Sequence, residues 1–224
     1  MKRFWKEVTV DGDGGVRLDE RPVRTPGRLP LILPTRALAD AVAKEWRGVG
    51  ETVDPRAMPL TGLANAAIER VGAATAADLA RYGDSDLLYY RADAPEPLVA
   101  RQGAAWDPLL DWARTRYDVH FDVVAGVMHR AQPAATVARL ADAVAARDRF
   151  ALAALSQVVT LTGTLVGALA LAEGAVDADA LWRAAHVDED WQAELWGADE
   201  SAAAVRANRR RDYDAAVRFM ELAR

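Results

Sequence analysis

The sequence predicts an α+β protein in which a small β-rich N-terminal domain precedes an all-α orthogonal bundle. Alternation of apolar residues with period two is confined to the first third of the chain, which is typical of strands. After residue 75, apolar residues recur at helical spacing almost everywhere. Residues 150–172 carry no charge and no proline and are apolar on nearly every side, as in a helix buried among others. We therefore predict two domains, 1–74 and 75–224.

The β-rich part begins with an alternation from Phe4 to Val10. The glycine-rich run 11–15 can supply the positive φ of a hairpin turn, and the strand resumes at residues 16–19. Residues 29–34 are a further extended segment, and their prolines confine it to a sheet edge or to strand ends.

Two helices are predicted to complete the first domain. Thr35 is suited to the N-cap of the first, in which Leu38, Val42 and Trp46 recur at helical spacing. Residues 61–71 form the second.

Further helices are predicted throughout the second domain. Pro108 suits only the first turn of a helix, so the helix within 102–117 is expected to start near Trp106. Asp177 and Asp188 are predicted to cap two short helices. The predicted helical segments are 76–90 with an interruption at Gly83, 102–117, 133–144, 150–172, 178–185, 189–195 and from about Asp199 to the end. The last of these helices is predicted to bury a stripe formed by Ala202, Val205, Tyr213, Ala216, Val217 and Met220.

The segment 150–172 is long enough to span a bilayer, and Gly163 and Gly167 have the spacing of packed membrane helices. However, one serine, one glutamine and three threonines interrupt it, and no aromatic or basic belt flanks it. We predict the central helix of a soluble bundle, in which both glycines let a neighbouring helix approach closely. The alternative is a factor that this segment anchors to a membrane; we expect no stable membrane insertion.

Composition excludes several classes of function. The net charge of −5 disfavours general nucleic-acid binding, which requires clustered cations. The chain has no cysteine and therefore no disulfide framework or thiolate chemistry. The N-terminal residues resemble neither a signal peptide nor a transit helix, so we expect a cytoplasmic protein. The high use of alanine, arginine and aspartate indicates a bacterial source, and we expect a monomer when the protein is free.

Motifs for catalysis and cofactor binding are lacking. The serines, at 85, 156 and 201, lie outside any nucleophile motif, and the histidines, at 120, 129 and 186, lack metal-ligand spacing. No glycine-rich phosphate loop is present. The sequence therefore predicts no catalytic residue, no metal and no cofactor.

Residues 187–200 are unusual because acidic residues crowd a helix N-terminus beside two tryptophans. One interpretation is a short capped helix whose Trp191 and Leu195 pack inward. The other is an acidic and aromatic rim that binds a protein partner, since tryptophan often carries interface energy. The candidate partner-binding residues are Glu189, Trp191, Glu194 and Trp196. The basic cluster at 206 and 209–211 is either a solvated helix face or a contact to an acidic partner.

Taken together, a series of segments resembles a known family, the Atp-twelve family of assembly chaperones, which act on the α subunit of the F-type ATP synthase catalytic head. The resemblance is to an α-proteobacterial member and extends over the whole chain in order. The matching segments are RFWKEV (3–8), LDERPVRTP (18–26), LILPTRALA (31–39), AKEW (43–46), MPLTGLAN (58–65), DLLYYR (86–91), WDPLL (106–110), DEDWQ (188–192) and WG (196–197).

The resemblance implies an α+β N-terminal domain, a helical C-terminal domain and no enzymatic activity. It implies that the chain holds the newly made α subunit and prevents its aggregation until the β subunit binds. A C-terminal glutamate is important in the family; Glu189 matches it best, with Glu194 as the alternative. A second hypothesis, from the residues alone, is a small-molecule enzyme in which carboxylates such as Glu189 and Asp190 act as acid and base.

Overall fold

The computed structural model describes residues 1–197 and 199–224, which form two compact units. The first comprises residues 1–72, 148–154 and 212–224, and the second comprises residues 73–147 and 155–211. The predicted boundary near residue 74 lies close to the break after Gly72, but two later segments group with the first unit. Independent folding of 1–74 and 75–224 stays a prediction.

The first unit contains an antiparallel sheet of β1 (Val8–Val10), β2 (Val16–Leu18) and β3 (Arg21–Pro22), in that order. The predicted hairpin turn joins β1 to β2. The Asp11 carboxylate accepts the N–H of Gly15 at 2.8 Å, and Gly14 has φ 81°. The predicted extended segment 29–34 forms only isolated bridges to the sheet region, at Pro30 and Ile32.

Helices α1 (Arg36–Arg47) and α2 (Pro59–Glu69) complete this part of the chain, with a 3₁₀ turn at Pro55–Ala57 between them. The Thr35 hydroxyl accepts the N–H of Leu38 at 3.1 Å, so the predicted N-cap is confirmed. The N-terminus of α2 is capped from another helix, because the Glu45 carboxylate accepts the N–H groups of Leu60 and Thr61 at 2.8 Å.

The rest of the chain is mostly helical, which confirms the α+β class. Two short 3₁₀ turns at Arg81–Asp84 and Leu87–Tyr89 lead into β4 (Tyr90–Arg91), which pairs in parallel with β5 (Val124–Ala125). The helices are α3 (Ala73–Ala80), α4 (Glu96–Tyr117), α5 (Ala134–Ala145), α6 (Arg149–Thr162), α7 (Leu165–Ala172), α8 (Ala178–Ala185), α9 (Val187–Trp196) and α10 (Glu200–Leu222).

Helix α4 begins ten residues earlier than predicted, so the predicted start near Trp106 was wrong. Pro108 lies inside the helix rather than in its first turn, where an interior proline costs about 3 kcal/mol. Trp106, Leu109 and Leu110 on the same helix are buried. Each fully buried large apolar side chain contributes about 1.5–3 kcal/mol, so burial of this face outweighs the cost of the proline.

The segment 150–172 is not one helix, and that prediction was wrong. Gly163 has φ 72° and ends α6, and the Thr164 hydroxyl then caps α7 by accepting the N–H of Gly167 at 2.9 Å. Gly167 does permit a close approach, since a Cβ there would lie 2.5 Å from Leu181 Cδ1 of α8. In residues 1–197 and 199–224, no helix has both the length and the apolar character needed to cross a membrane.

The break between α6 and α7 is held by a buried carboxylate. Asp86 is fully buried and accepts the N–H groups of Leu88 at 3.0 Å and Val166 at 2.9 Å. Burial raises the pKa of Asp86 to about 6, against the opposing effect of these donors. One side chain therefore satisfies backbone donors from two elements far apart in sequence.

Candidate partner-binding site

Helix α9 carries all four candidate partner-binding residues, and none of its residues is buried. The predicted inward packing of Trp191 and Leu195 was wrong, because Leu195 is 55% exposed and Trp191 is only half-buried. Trp196 is 78% exposed. Tryptophan is enriched among the residues that carry interface energy, so the exposed Trp196 makes α9 the candidate segment for a partner site.

Helix α9 is held by polar contacts rather than by apolar burial. Each acidic residue of the helix has a partner elsewhere in the second unit. Asp188 accepts from the Gln102 amide at 2.7 Å, Glu189 from Arg209 at 3.1 Å, Asp190 from Arg206 at 2.5 Å and Glu194 from Arg101 at 2.7 Å. The predicted acidic rim is therefore already paired within the chain, and so are Arg206 and Arg209 of the basic cluster.

Trp191 is held through the same network, because the Arg101 guanidinium lies 4.8 Å from the centre of its ring. Such a cation–π contact contributes about 0.5–1 kcal/mol at an exposed site. Arg101 also pairs with Glu194, so one arginine binds two of the four predicted site residues.

The N-cap of α9 is His186, and the prediction of Asp188 was wrong. Asp188 lies in the first turn with Glu189 and Asp190, where acidic side chains stabilise the helix dipole. The Nδ1–H of His186 donates to the Trp182 carbonyl at 2.8 Å, and the two rings stack 3.9 Å apart. Burial lowers the pKa of His186, which favours the neutral form of its ring.

A groove of about 540 Å³ separates α9 from the first half of α10, and we call it the α9–α10 groove. Apolar groups form most of its lining, and Glu189, Arg206 and Arg209 border it; the apolar lining residues are Ala193, Trp196, Ala202, Ala203 and Val205. Ala202 and Val205 were predicted to face the core. Both are exposed, and no residue in the first half of α10 is buried. In the second half, Tyr213, Ala216, Val217 and Met220 are buried as predicted.

The structure thus divides the four predicted residues among different surroundings. Glu189 and Trp196 line the α9–α10 groove, and Glu194 lines a second cavity on another face of α9. The ring of Trp191 lies against the guanidinium group of Arg101. Sequence reasoning missed the contribution of Ala202 and Val205 to the groove, because an apolar stripe has the same pattern whether it meets a core or lines an open groove.

The site has no arrangement suited to catalysis by two carboxylates. Glu189 and Asp190 each bind an arginine, at 3.1 Å and 2.5 Å. Among the described residues, the carboxylate whose pKa is raised is that of Asp86, which is fully buried and bound to backbone N–H groups. Within the part of the chain that the structure describes, no group of three or more histidine, aspartate or glutamate residues is placed to hold a metal ion.

Comparison with known proteins decides the family. Residues 2–114 match the family model of the ATP12 chaperone protein. The chain belongs to the ATP12 chaperone family. This confirms the resemblance identified in the sequence segments.

Solved structures of ATP12 proteins extend the similarity over the whole chain, including α9. Atp12 from Paracoccus denitrificans is 46% identical, with a TM-score of 0.93 over 100% of this chain and 98% of that one. A mutant form of P. denitrificans Atp12p is 47% identical, with a TM-score of 0.94 and the same coverage. The Atu1473 protein of Agrobacterium tumefaciens is 44% identical, with a TM-score of 0.93 over 100% of this chain and 86% of that one.

Proposed function

We propose that this chain is a non-enzymatic chaperone that binds the newly made α subunit of ATP synthase, prevents its aggregation and promotes assembly of the catalytic head. Membership of the ATP12 chaperone family supports the general role. The observation that carries the proposal on this chain is the α9–α10 groove, an apolar surface with the 78% exposed Trp196 at its edge.

The groove has the chemistry expected of a client-binding surface. A chaperone needs apolar surface that stays accessible in the free protein, and exposed apolar surface with a polar border is typical of protein-binding sites. The ion pairs of Glu189 and Asp190 with α10 hold the two walls of the groove together. The groove is thus formed before a client arrives, which lowers the entropic cost of binding.

The four predicted residues take different roles in this proposal. Trp196 is the apolar anchor that contacts the client. Glu189 lies at the border of the groove, where its side chain is 47% exposed and pairs with Arg209. Trp191 and Glu194 act through Arg101 and keep α9 in position.

The proposal includes the setting in which the chain works. It places the protein in the bacterial cytoplasm, as a monomer when free, with the α subunit as its partner. It includes no nucleic-acid partner, no cofactor and no stable membrane insertion.

Co-expression with the α subunit of the same organism tests the proposal. We expect soluble α that co-elutes with the chain on size exclusion, whereas α expressed alone aggregates. Trp196→Ala is expected to reduce co-purified α by about tenfold or more, which is typical of an interface anchor, without a change in Tm. Met128→Ala is the matched control, since Met128 is 80% exposed and lies outside the groove. Absence of a complex with the wild-type chain, or equal losses in both variants, contradicts the proposal.

A pair of variants separates contact from scaffold at Glu189. Glu189→Gln and Arg209→Gln both remove the 3.1 Å ion pair, but only the first removes the carboxylate. If Glu189 contacts the client, Glu189→Gln weakens binding more than Arg209→Gln does. Equal effects of the two variants assign Glu189 to the scaffold.

A further inference from the structure

A second cavity, of about 490 Å³, lies against another face of α9, where α4 and α8 pack, and we call it the α4–α8–α9 pocket. Val187, Asp190 and Glu194 of α9 line this pocket, whereas Glu189, Ala193 and Trp196 line the α9–α10 groove. Helix α9 is therefore a ridge between two cavities, which accounts for the absence of buried residues in it.

The walls of the pocket are mainly apolar, and one of them offers a hydrogen-bond acceptor. Pro108 has no N–H, so the carbonyl of Ala104 lacks its usual donor four residues along the helix. Ala104 and Pro108 both line the pocket, with Leu109 and Trp112 from the same helix. Pro108 therefore removes the usual helical donor from the carbonyl of Ala104, a residue that lines this pocket.

The charged side chains at the pocket differ in whether they already have a partner within the chain. Asp190 and Glu194 are each bound to an arginine, Arg206 and Arg101. Arg183 also lines the pocket and is exposed, and in the described ranges 1–197 and 199–224 no carboxylate lies within salt-bridge distance of it. The nearby Asp179 pairs with Arg210 instead. The charged group at this pocket that is still available to a ligand is therefore a cation.

We propose that the α4–α8–α9 pocket binds a second segment of the α-subunit client, one in which an acidic residue neighbours an apolar side chain. The apolar side chain fills the pocket, the carboxylate pairs with Arg183, and a peptide N–H of the segment donates to the Ala104 carbonyl. A polypeptide supplies all three groups together.

The two cavities share α9, so one client can contact both sides of the ridge. Two linked contacts bind more tightly than either alone, because the second is intramolecular once the first has formed. The inference rests on the proposed function, since it assigns the pocket to the same client.

Two variants in the same co-expression assay test the pocket directly. Ala104→Phe places a ring in the pocket from an exposed helix position, and Arg183→Glu reverses the available charge. The matched controls are Ala100→Phe, exposed on the same helix but outside the pocket, and Arg218→Glu, exposed on α10. We expect both pocket variants to reduce co-purified α by about fivefold or more, the loss of one good polar or apolar contact, while both controls match the wild type.

The outcomes separate the two proposals. If the wild-type chain binds α and the pocket variants match their controls, the pocket inference is overturned and the proposed function stands. If the wild-type chain does not bind α, both are overturned. Tm by circular dichroism reports folding; should Ala104→Phe unfold the chain, Arg183→Glu decides alone, because its side chain is on the surface. Arg183→Lys keeps the charge and is expected to retain part of the binding.

Discussion

The buried carboxylate of Asp86 makes the stability of this protein depend on pH in a way that one substitution can reveal. Its two oxygens accept N–H groups from Leu88 and Val166 at 3.0 Å and 2.9 Å, and the side chain has no exposure to solvent. Burial raises its pKa from 3.8 to about 6. Asp86→Asn keeps the shape of the side chain and removes the titration.

The expected size of the effect follows from the two pKa values. Between them, the folded protein binds a proton that the unfolded chain releases, so the contribution of Asp86 to stability falls as pH rises through this window. Above the folded pKa the contribution is constant. From about pH 4.5 to about pH 7.5, the free energy of unfolding of the wild type should fall by about 2 kcal/mol relative to that of Asp86→Asn.

Urea unfolding followed by circular dichroism measures this difference at each pH. Other titrating groups are common to the two proteins and cancel in the comparison. Ser85→Ala, an exposed change in the same region that alters no titrating group, should run parallel to the wild type at every pH. If the difference in the free energy of unfolding between the wild type and Asp86→Asn stays constant from about pH 4.5 to about pH 7.5, the pKa of Asp86 is not raised and the reasoning from burial is refuted.

Two further predictions concern the stability of the protein. Gly167→Ala places a Cβ 2.5 Å from Leu181 Cδ1 and should lower the free energy of unfolding by about 1–3 kcal/mol. The control is Gly62→Ala, which lies in open space on a helix and should raise the free energy of unfolding by up to about 1 kcal/mol. A stabilising effect of Gly167→Ala would contradict the close approach of Leu181. The carboxylate of Glu173 is held by two guanidinium groups and a tyrosine hydroxyl at 2.5–2.8 Å. Burial raises its pKa, but these partners outweigh burial and the net pKa is lowered, so its contribution is present at neutral pH and lost as pH falls below 4.5. Glu173→Gln should therefore cost about 1–2 kcal/mol near pH 7 and less in acid, and an equal cost at both would argue against the ionised contact.

The features that could be predicted from sequence are those decided within a few residues. The turn at Asp11–Gly15 needs positive φ and an aspartate to accept its N–H groups, and the sequence shows both the glycines and the aspartate at these positions. Thr35 and Asp177 cap helices through hydroxyl or carboxylate contacts to N–H groups three residues on. Local hydrogen bonds of this kind form whatever surrounds them, so these predictions were confirmed.

The predictions that were wrong concern features that depend on residues distant in sequence. A glycine within an apolar run serves equally as a packing site or as a helix end. The backbone donors at the start of α7 meet a carboxylate 80 residues earlier, and that contact allows the chain to end α6 at Gly163. Pro108 stays inside α4 because the apolar residues around it are buried by other helices.

The sequence alone determined the α+β class, the helix caps at Thr35 and Asp177, the absence of cysteine chemistry and the family, because composition, local hydrogen bonds and ordered motifs are properties of the amino-acid sequence itself. It also singled out α9 through its acidic residues and tryptophans. Only the tertiary structure decided that Trp196 and Val205 are exposed while Tyr213 is buried, and that the acidic residues of α9 are paired with arginines. Exposure and pairing depend on which side chains other segments bring near, and periodicity along one helix carries no information about them.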